Sequence, residues 1–190
     1  MRLFVGCEAG ATVADAAAAL IRDLQARVAR LAPHARLTWV PTERLHFTIR
    51  FIGHVDAARV SAIRDAFAPA LRQPSFDAVV QGVGAFPDRR QPRVIWAGLT
   101  SGRREMVALS REVNARLAPL VSGDDEELQP HLTLARVKEP HGLRAQALFA
   151  GLEATALGVT RVEAVTVFES RQTSGGLQYV PLMKTALEAE

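Results

Sequence analysis

A single cysteine, Cys7, occurs among the 190 residues. The chain therefore makes no internal disulfide, and a reducing cytoplasm is the expected compartment. Long apolar runs are missing too. A membrane helix needs about 18 consecutive apolar residues, and the richest stretch, Ala16 to Ile21, is bracketed by Asp15 and Arg22. No membrane partner is expected. Met1 to Cys7 is too short for a secretory leader and has no clear cleavage site. Linkers rich in Pro, Gly or Ser are absent, so residues 1–190 read as one bilobal domain, expected as a monomer. Lysine is scarce: Lys138 and Lys184 stand among 23 basic residues, the rest arginine, for a net charge of +3. Arginine grips phosphate in a planar fork and stacks on bases, which suits a nucleic-acid partner. Coding bias in a GC-rich genome explains the excess better when it is taken alone, since alanine is abundant as well.

What is present reads as alternating strands and helices. Arg2 to Cys7 is an apolar, central strand with Cys7 in the core. Thr12 is the expected cap of a first helix whose stripe is Val13, Ala17, Leu20, Ile21, Leu24, Val28 and Leu31. Pro33 stops it. Arg36 to Val40 is a strand with Trp39 half-buried. Asp56 caps a second helix with Val60, Ile63, Phe67 and Leu71 on one side. Ser75 to Val83 and Arg93 to Leu99 are strands around a loop carrying Asp88, Arg89 and Arg90. Gly102 opens a third helix, with Met106, Leu109, Val113, Leu117 and Leu120 facing inward. Leu143 to Leu152 is a short fourth helix. Val159 to Glu169 is expected as one long strand with Val159, Val165 and Val167 inside. Gly175-Gly176 turns a hairpin into a last strand, Leu177 to Met183, followed by a frayed tail.

Two strands repeat a pattern: His46-Phe47-Thr48-Ile49 and His131-Leu132-Thr133-Leu134. Alternate side chains of a strand share a face. Each copy therefore turns a histidine and a threonine one way and two apolar residues the other. The copies sit at comparable places in a loosely repeated order of elements. This implies an α+β fold of two pseudo-symmetric lobes, with mostly antiparallel sheets, helices on the outer faces and a central cleft. Two imidazoles and two hydroxyls around a small volume suit a phosphodiester. Histidine titrates near ~6.5, so one ring serves as base while another serves as acid.

Rival chemistries are weaker. Neither motif has a His-x-His, His-Glu-x-x-His or paired carboxylate beside it, so no metal or other cofactor is expected. Asp124, Asp125, Glu126 and Glu127 read as a solvated turn. A nucleophilic serine would need a Gly-x-Ser-x-Gly turn, which is not there. His34, His54 and His141 adjoin Pro or Gly and read as surface residues, with a rim role left open for His54 by its nearness to the first motif.

The paired motifs resemble the signatures of the 2H phosphoesterases. Met1 to Val5, Leu45 to Gly53, Phe86 to Trp96 and Pro130 to Arg136 look like one branch, the bacterial and archaeal RNA 2′,3′-cyclic phosphodiesterases, also called 2′-5′ RNA ligase-like proteins. The resemblance implies metal-independent hydrolysis of RNA 2′,3′-cyclic phosphate ends to a 2′-phosphate. In some members it also implies 2′-5′ ligation, the reverse reaction. It makes His46 the proton donor and His131 the proton acceptor, lets Thr48 and Thr133 hold the phosphate, and gives Phe51 to base stacking and Arg136 to phosphate or nucleotide contact. By strict alternation Arg136 falls on the face opposite His131, so a bulge or strand end must turn it inward. Two other readings share this scaffold: a non-catalytic RNA- or nucleotide-binding protein, and a phosphodiesterase for small cyclic nucleotides or 2′-5′ oligonucleotides.

Overall fold

The computed structural model describes residues 1–123 and 127–189. In chain order these form β1 (Arg2–Glu8), α1 (Ala11–Leu31), β2 (Arg36–Trp39), β3 (His46–His54), α2 (Ala57–Phe67), β4 (Leu71–Pro74), β5 (Phe76–Phe86), β6 (Val94–Ser101), α3 (Arg103–Leu117), β7 (Leu132–Glu139), α4 (Ala145–Phe149), β8 (Ala156–Val162), β9 (Ala164–Thr173) and β10 (Gly176–Glu188). The strands lie in the order β4-β10-β9-β1-β3-β7-β6-β5-β8, with β2 also beside β7. Every neighbouring pair is antiparallel except β4 with β10. The expected mixed α+β architecture is what the chain adopts.

The two halves meet at one residue pair, Phe47 opposite Leu132. β3 and β7 overlap only at their first residues and then run apart. Beyond that point β2 takes over the edge of β7, with Trp39 opposite Ala135 and Arg36 opposite Glu139. On the other side, where β3 has outrun β7, the carbonyl of Ile49 accepts a hydrogen bond from Ser110 of α3. The backbone groups that a full β3–β7 ladder would pair thus find other partners.

Helices cover one face of the sheet. Phe47, Ile49, Leu132 and Leu134 join Val13, Leu24, Ile63, Met106 and Leu109 in one buried apolar cluster. Cys7 lies in that cluster, and burial pushes its thiol up to about 12. Asp56 caps α2 by accepting from the backbone N–H of Arg59 at 2.8 Å.

Several expectations are corrected. Gly10, not Thr12, precedes α1, and its N–H donates to the Thr160 hydroxyl at 2.7 Å. Leu31 ends exposed, because the chain leaves α1 there and the stripe has no further partner. Leu71 belongs to β4, a short strand that parallel pairing with β10 creates. The single strand over 159–169 is two, broken at Glu163, where the chain crosses from β5 in one half to β1 in the other. Val159 is exposed, because within β8 it alternates with the buried Thr160 and Val162, and the break at Glu163 changes the phase before Val165. The fourth helix is shorter than expected, and the last strand runs past Met183 to Glu188, with Leu187 and Glu188 paired to β4. Asp124, Asp125 and Glu126 lie outside the described residues; Glu127 pairs with Arg111 at 2.9 Å.

Because so little else joins β3 to β7, Leu132 carries more than its own burial. Leu132→Ala should cost about 2–5 kcal/mol, as fully buried leucines do, measured by urea unfolding. A loss under about 1 kcal/mol would mean that the halves do not depend on this contact.

Candidate active site

Phe47 facing Leu132 in antiparallel register sets the neighbours on either side. One step along, His46 comes beside Thr133, and Thr48 beside His131. All four are half-buried, while Phe47, Ile49, Leu132 and Leu134 are buried on the opposite face. The two motifs thus form a cluster with approximate twofold symmetry about one sheet contact.

Each strand then breaks its alternation at the same offset. β1 pairs Gly6 with Thr48 and Val5 with Arg50, skipping Ile49. β6 pairs Trp96 with Thr133 and Ile95 with Ala135, skipping Leu134. These are β-bulges, which shift the side-chain phase by one residue. Ile49 and Arg50 are consecutively buried, as are Leu134 and Ala135. Phe51 and Arg136 consequently emerge on the histidine face, Phe51 55% exposed. The geometric obstacle to Arg136 is removed by the second bulge.

Both rings are anchored alike. His46 Nδ1 lies 2.7 Å from the carbonyl oxygen of Arg44, and His131 Nδ1 lies 2.7 Å from that of Gln129. A carbonyl only accepts, so Nδ1 carries the proton in each neutral ring and Nε2 is left to exchange one. His46 Nε2 is 3.1 Å from Thr48 Oγ1, within reach of its O–H. Aromatic walls hold each ring. Phe4 lies 4.9 Å and Tyr179 5.2 Å from His46 between ring centres, and Phe86 meets His131 edge-on at 5.0 Å. Two glycines permit this packing. A Cβ on Gly6 would approach the Phe47 carbonyl at 3.0 Å, and one on Gly84 would overlap the Trp96 ring.

The cleft is divided. His46, Thr133, Arg136 and Tyr179 line a cavity of about 530 Å³. His131 opens into a second, about 320 Å³, with Phe86, Asn114 and Leu128. Thr48 and Phe51 wall both, so the rings stand on either side of a shared partition. Burial holds both imidazoles below the ordinary histidine value, opposed in part by their carbonyl partners. The Arg136 charge lowers both further, and the His131 charge adds to this at His46.

His54 pairs with Arg2 at the end of β3, exposed and lining neither cavity; His141 binds Glu139 at 2.9 Å, and His34 is exposed. Among the described residues no group of three or more His, Cys, Asp or Glu side chains is placed to hold a metal ion. The sequence reading missed Phe4, Tyr179, Phe86 and the carbonyls of Arg44 and Gln129. The carbonyls leave one trace: each belongs to the second residue before its histidine.

In the ligand-free protein both rings should titrate below ~6.5, read from their proton chemical shifts by NMR. His131→Ala should raise the value at His46 by removing a neighbouring charge. As pH falls through ~6.5, the unfolded chain gains protons that the native rings still refuse, so stability should drop with pH in that window. Values at or above ~6.5 for both rings would contradict this account.

A family model described as LigT-like phosphoesterase matches residues 12–96. An RNA 2′,3′-cyclic phosphodiesterase of Aeropyrum pernix is 32% identical over 171 residues, covering 86% of this chain and 94% of that protein. One of Thermotoga maritima is 32% identical over 139 residues, 73% of this chain and 71% of that one. A crystal structure from Thermus thermophilus shares the fold with a TM-score of 0.79 at 24% identity, over 100% of both chains. Escherichia coli LigT in apo form does so at 0.70 and 24%, over 98% of this chain and 96% of that one. With the paired motifs facing each other across one sheet contact and a relative matched over nearly its whole length, the chain belongs to the LigT-like phosphoesterase family.

Proposed function

We propose that the protein hydrolyses 2′,3′-cyclic phosphate ends of RNA to the 2′-phosphate without a metal ion, by acid–base catalysis from His46 and His131. The observation that carries this is the register of Phe47 with Leu132, which brings two histidines from distant parts of the chain to one partition. The activity is the one named for the relatives matched over most of their length.

Water attacks phosphorus in line with the departing 3′ oxygen. Neutral His131 takes the proton from water through Nε2. His46, as imidazolium, gives a proton to the 3′ oxygen as its bond to phosphorus breaks. The products are a 2′-phosphate and a free 3′ hydroxyl. Thr48 and Thr133 donate to the non-bridging oxygens, and Arg136 balances the charge building there. Phe51 offers its exposed ring to the terminal base. The reaction needs one ring protonated and the other neutral, and the His131 charge, which lowers His46, disfavours both being protonated at once. A 5′ hydroxyl in the place of water would give a 2′-5′ linkage by the same step, which accounts for ligation as a side reaction.

Both halves contribute to the reacting centre, so the chain acts as a single unit and a monomer suffices. The buried Cys7 thiol suits a reducing cytoplasm.

The decisive measurement uses an RNA ending in 2′,3′-cyclic phosphate, with excess EDTA, and identifies the product isomer. Turnover to the 2′-phosphate is expected. His46→Ala and His131→Ala should each reduce kcat by about 10²–10⁴-fold while unfolding cooperatively. The kcat/KM profile should be bell-shaped and centred on the acidic side of ~6.5, because both rings are lowered. Full activity in either variant rejects the mechanism, and loss of activity in EDTA rejects its metal independence.

A further inference from the structure

The larger cavity holds more positive charge than the reaction needs. Arg2, Arg44, Arg136 and Lys138 line it, and among the described residues no carboxylate does. A cyclic phosphodiester carries one negative charge, and Arg136, which acts on both histidines, answers it. Arg2, Arg44 and Lys138 are left over. Lys138 follows Arg136 by two residues on the same exposed face of β7, a step of about 7 Å along the strand and of the order of one nucleotide. Arg44 is held in place, donating to the Leu177 carbonyl at 2.7 Å with its guanidinium 6.0 Å from the Tyr179 ring centre.

The smaller cavity has the opposite character. Apart from Arg50, which donates to the Ser122 carbonyl at 2.6 Å, its cationic side chains number only His131 when protonated. Phe51, Phe86, Ile49 and Leu128 supply apolar walls, with the Glu127 carboxylate at its edge. That surface, with far less positive charge than the other cavity, suits an uncharged base.

We propose that the cleft beside His46 binds the internucleotide phosphates preceding the cyclic end, so that the RNA strand enters past Lys138, Arg2 and Arg44 and places its terminal base on the His131 side of Phe51. The inference rests on the phosphodiesterase reading and adds direction and length: the substrate is an oligonucleotide of several residues, not a mononucleotide. The rim cations act on strands that reach them and barely on a lone cyclic nucleotide.

The test compares adenosine 2′,3′-cyclic phosphate with oligoadenylates of two, three and four residues carrying the same end. kcat/KM should rise with each of the first added phosphates. Its salt dependence, as a log–log slope, should steepen by about 0.7 per phosphate neutralised, about 2 across the three surplus cations. Lys138→Ala should remove about 0.7 of that slope and lower the ratio of tetranucleotide to mononucleotide kcat/KM, while Lys138→Arg restores both. Equal efficiency across the series, or a Lys138→Ala variant with the full length dependence, would overturn the proposal. Binding of the same oligomers ending in 2′-phosphate, by fluorescence anisotropy, reads the cleft apart from turnover. Length-dependent binding lost in Lys138→Ala, without hydrolysis of any cyclic end, would keep the cleft and reject the catalytic reading. Hydrolysis and binding that are both indifferent to length would do the reverse.

Discussion

Everything at the proposed site depends on a strand overlap one residue pair long. Among the described residues β3 and β7 pair in the sheet at Phe47 and Leu132 and at no further position along their lengths. A longer ladder would pull the strands parallel to one sheet and close the gap into which His131 opens. A slip of one residue would turn the histidines into the core and expose the apolar pair. The register is held because both sides of it are strongly specified. Phe47 and Leu132 are buried in the cluster beneath α1 and α3, and β2 occupies the rest of the β7 edge.

How much of this is legible in the sequence follows from the range of each interaction. The His-x-Thr-x strands, the stripe of α1 from Val13 to Val28 and the Asp56 cap are set by neighbours a few residues away, and they read correctly. Errors cluster where a distant partner decides. Leu71 continues a helical spacing, yet β10 draws it into a strand. The apolar alternation around Val165 extends back toward Val159, but those residues pair with different halves of the sheet, and the phase slips between them. Arg50 shows the limit most clearly. Strict alternation sets it beside His46 and Thr48 and hides Phe51. The bulge at Ile49 reverses both, and no local signal in Ile49-Arg50 announces it. Among the residues assigned a role, Phe51 and Arg136 both set role against spacing, each five residues after its histidine.

The bulges also explain how a nearly symmetric frame acquires a direction. Phe51 follows His46 by the same interval as Arg136 follows His131, and the same device brings each to the histidine face. Equivalent positions thus carry an apolar ring on one strand and a permanent charge on the other. The asymmetry spreads from there. Arg136 and Lys138 give the His46 cavity its positive lining, while Phe51 and Phe86 face the other. The proposed substrate, a flat base at one end with a chain of phosphates leading from it, matches this difference in charge in one orientation better than in the other. Once the strand lies that way, the two imidazoles are no longer equivalent. In the proposed reaction one faces the oxygen that leaves, the other the side from which water comes. The acid and the base are then distinguished by how the substrate lies, even though both rings are anchored through Nδ1 to a carbonyl two residues back.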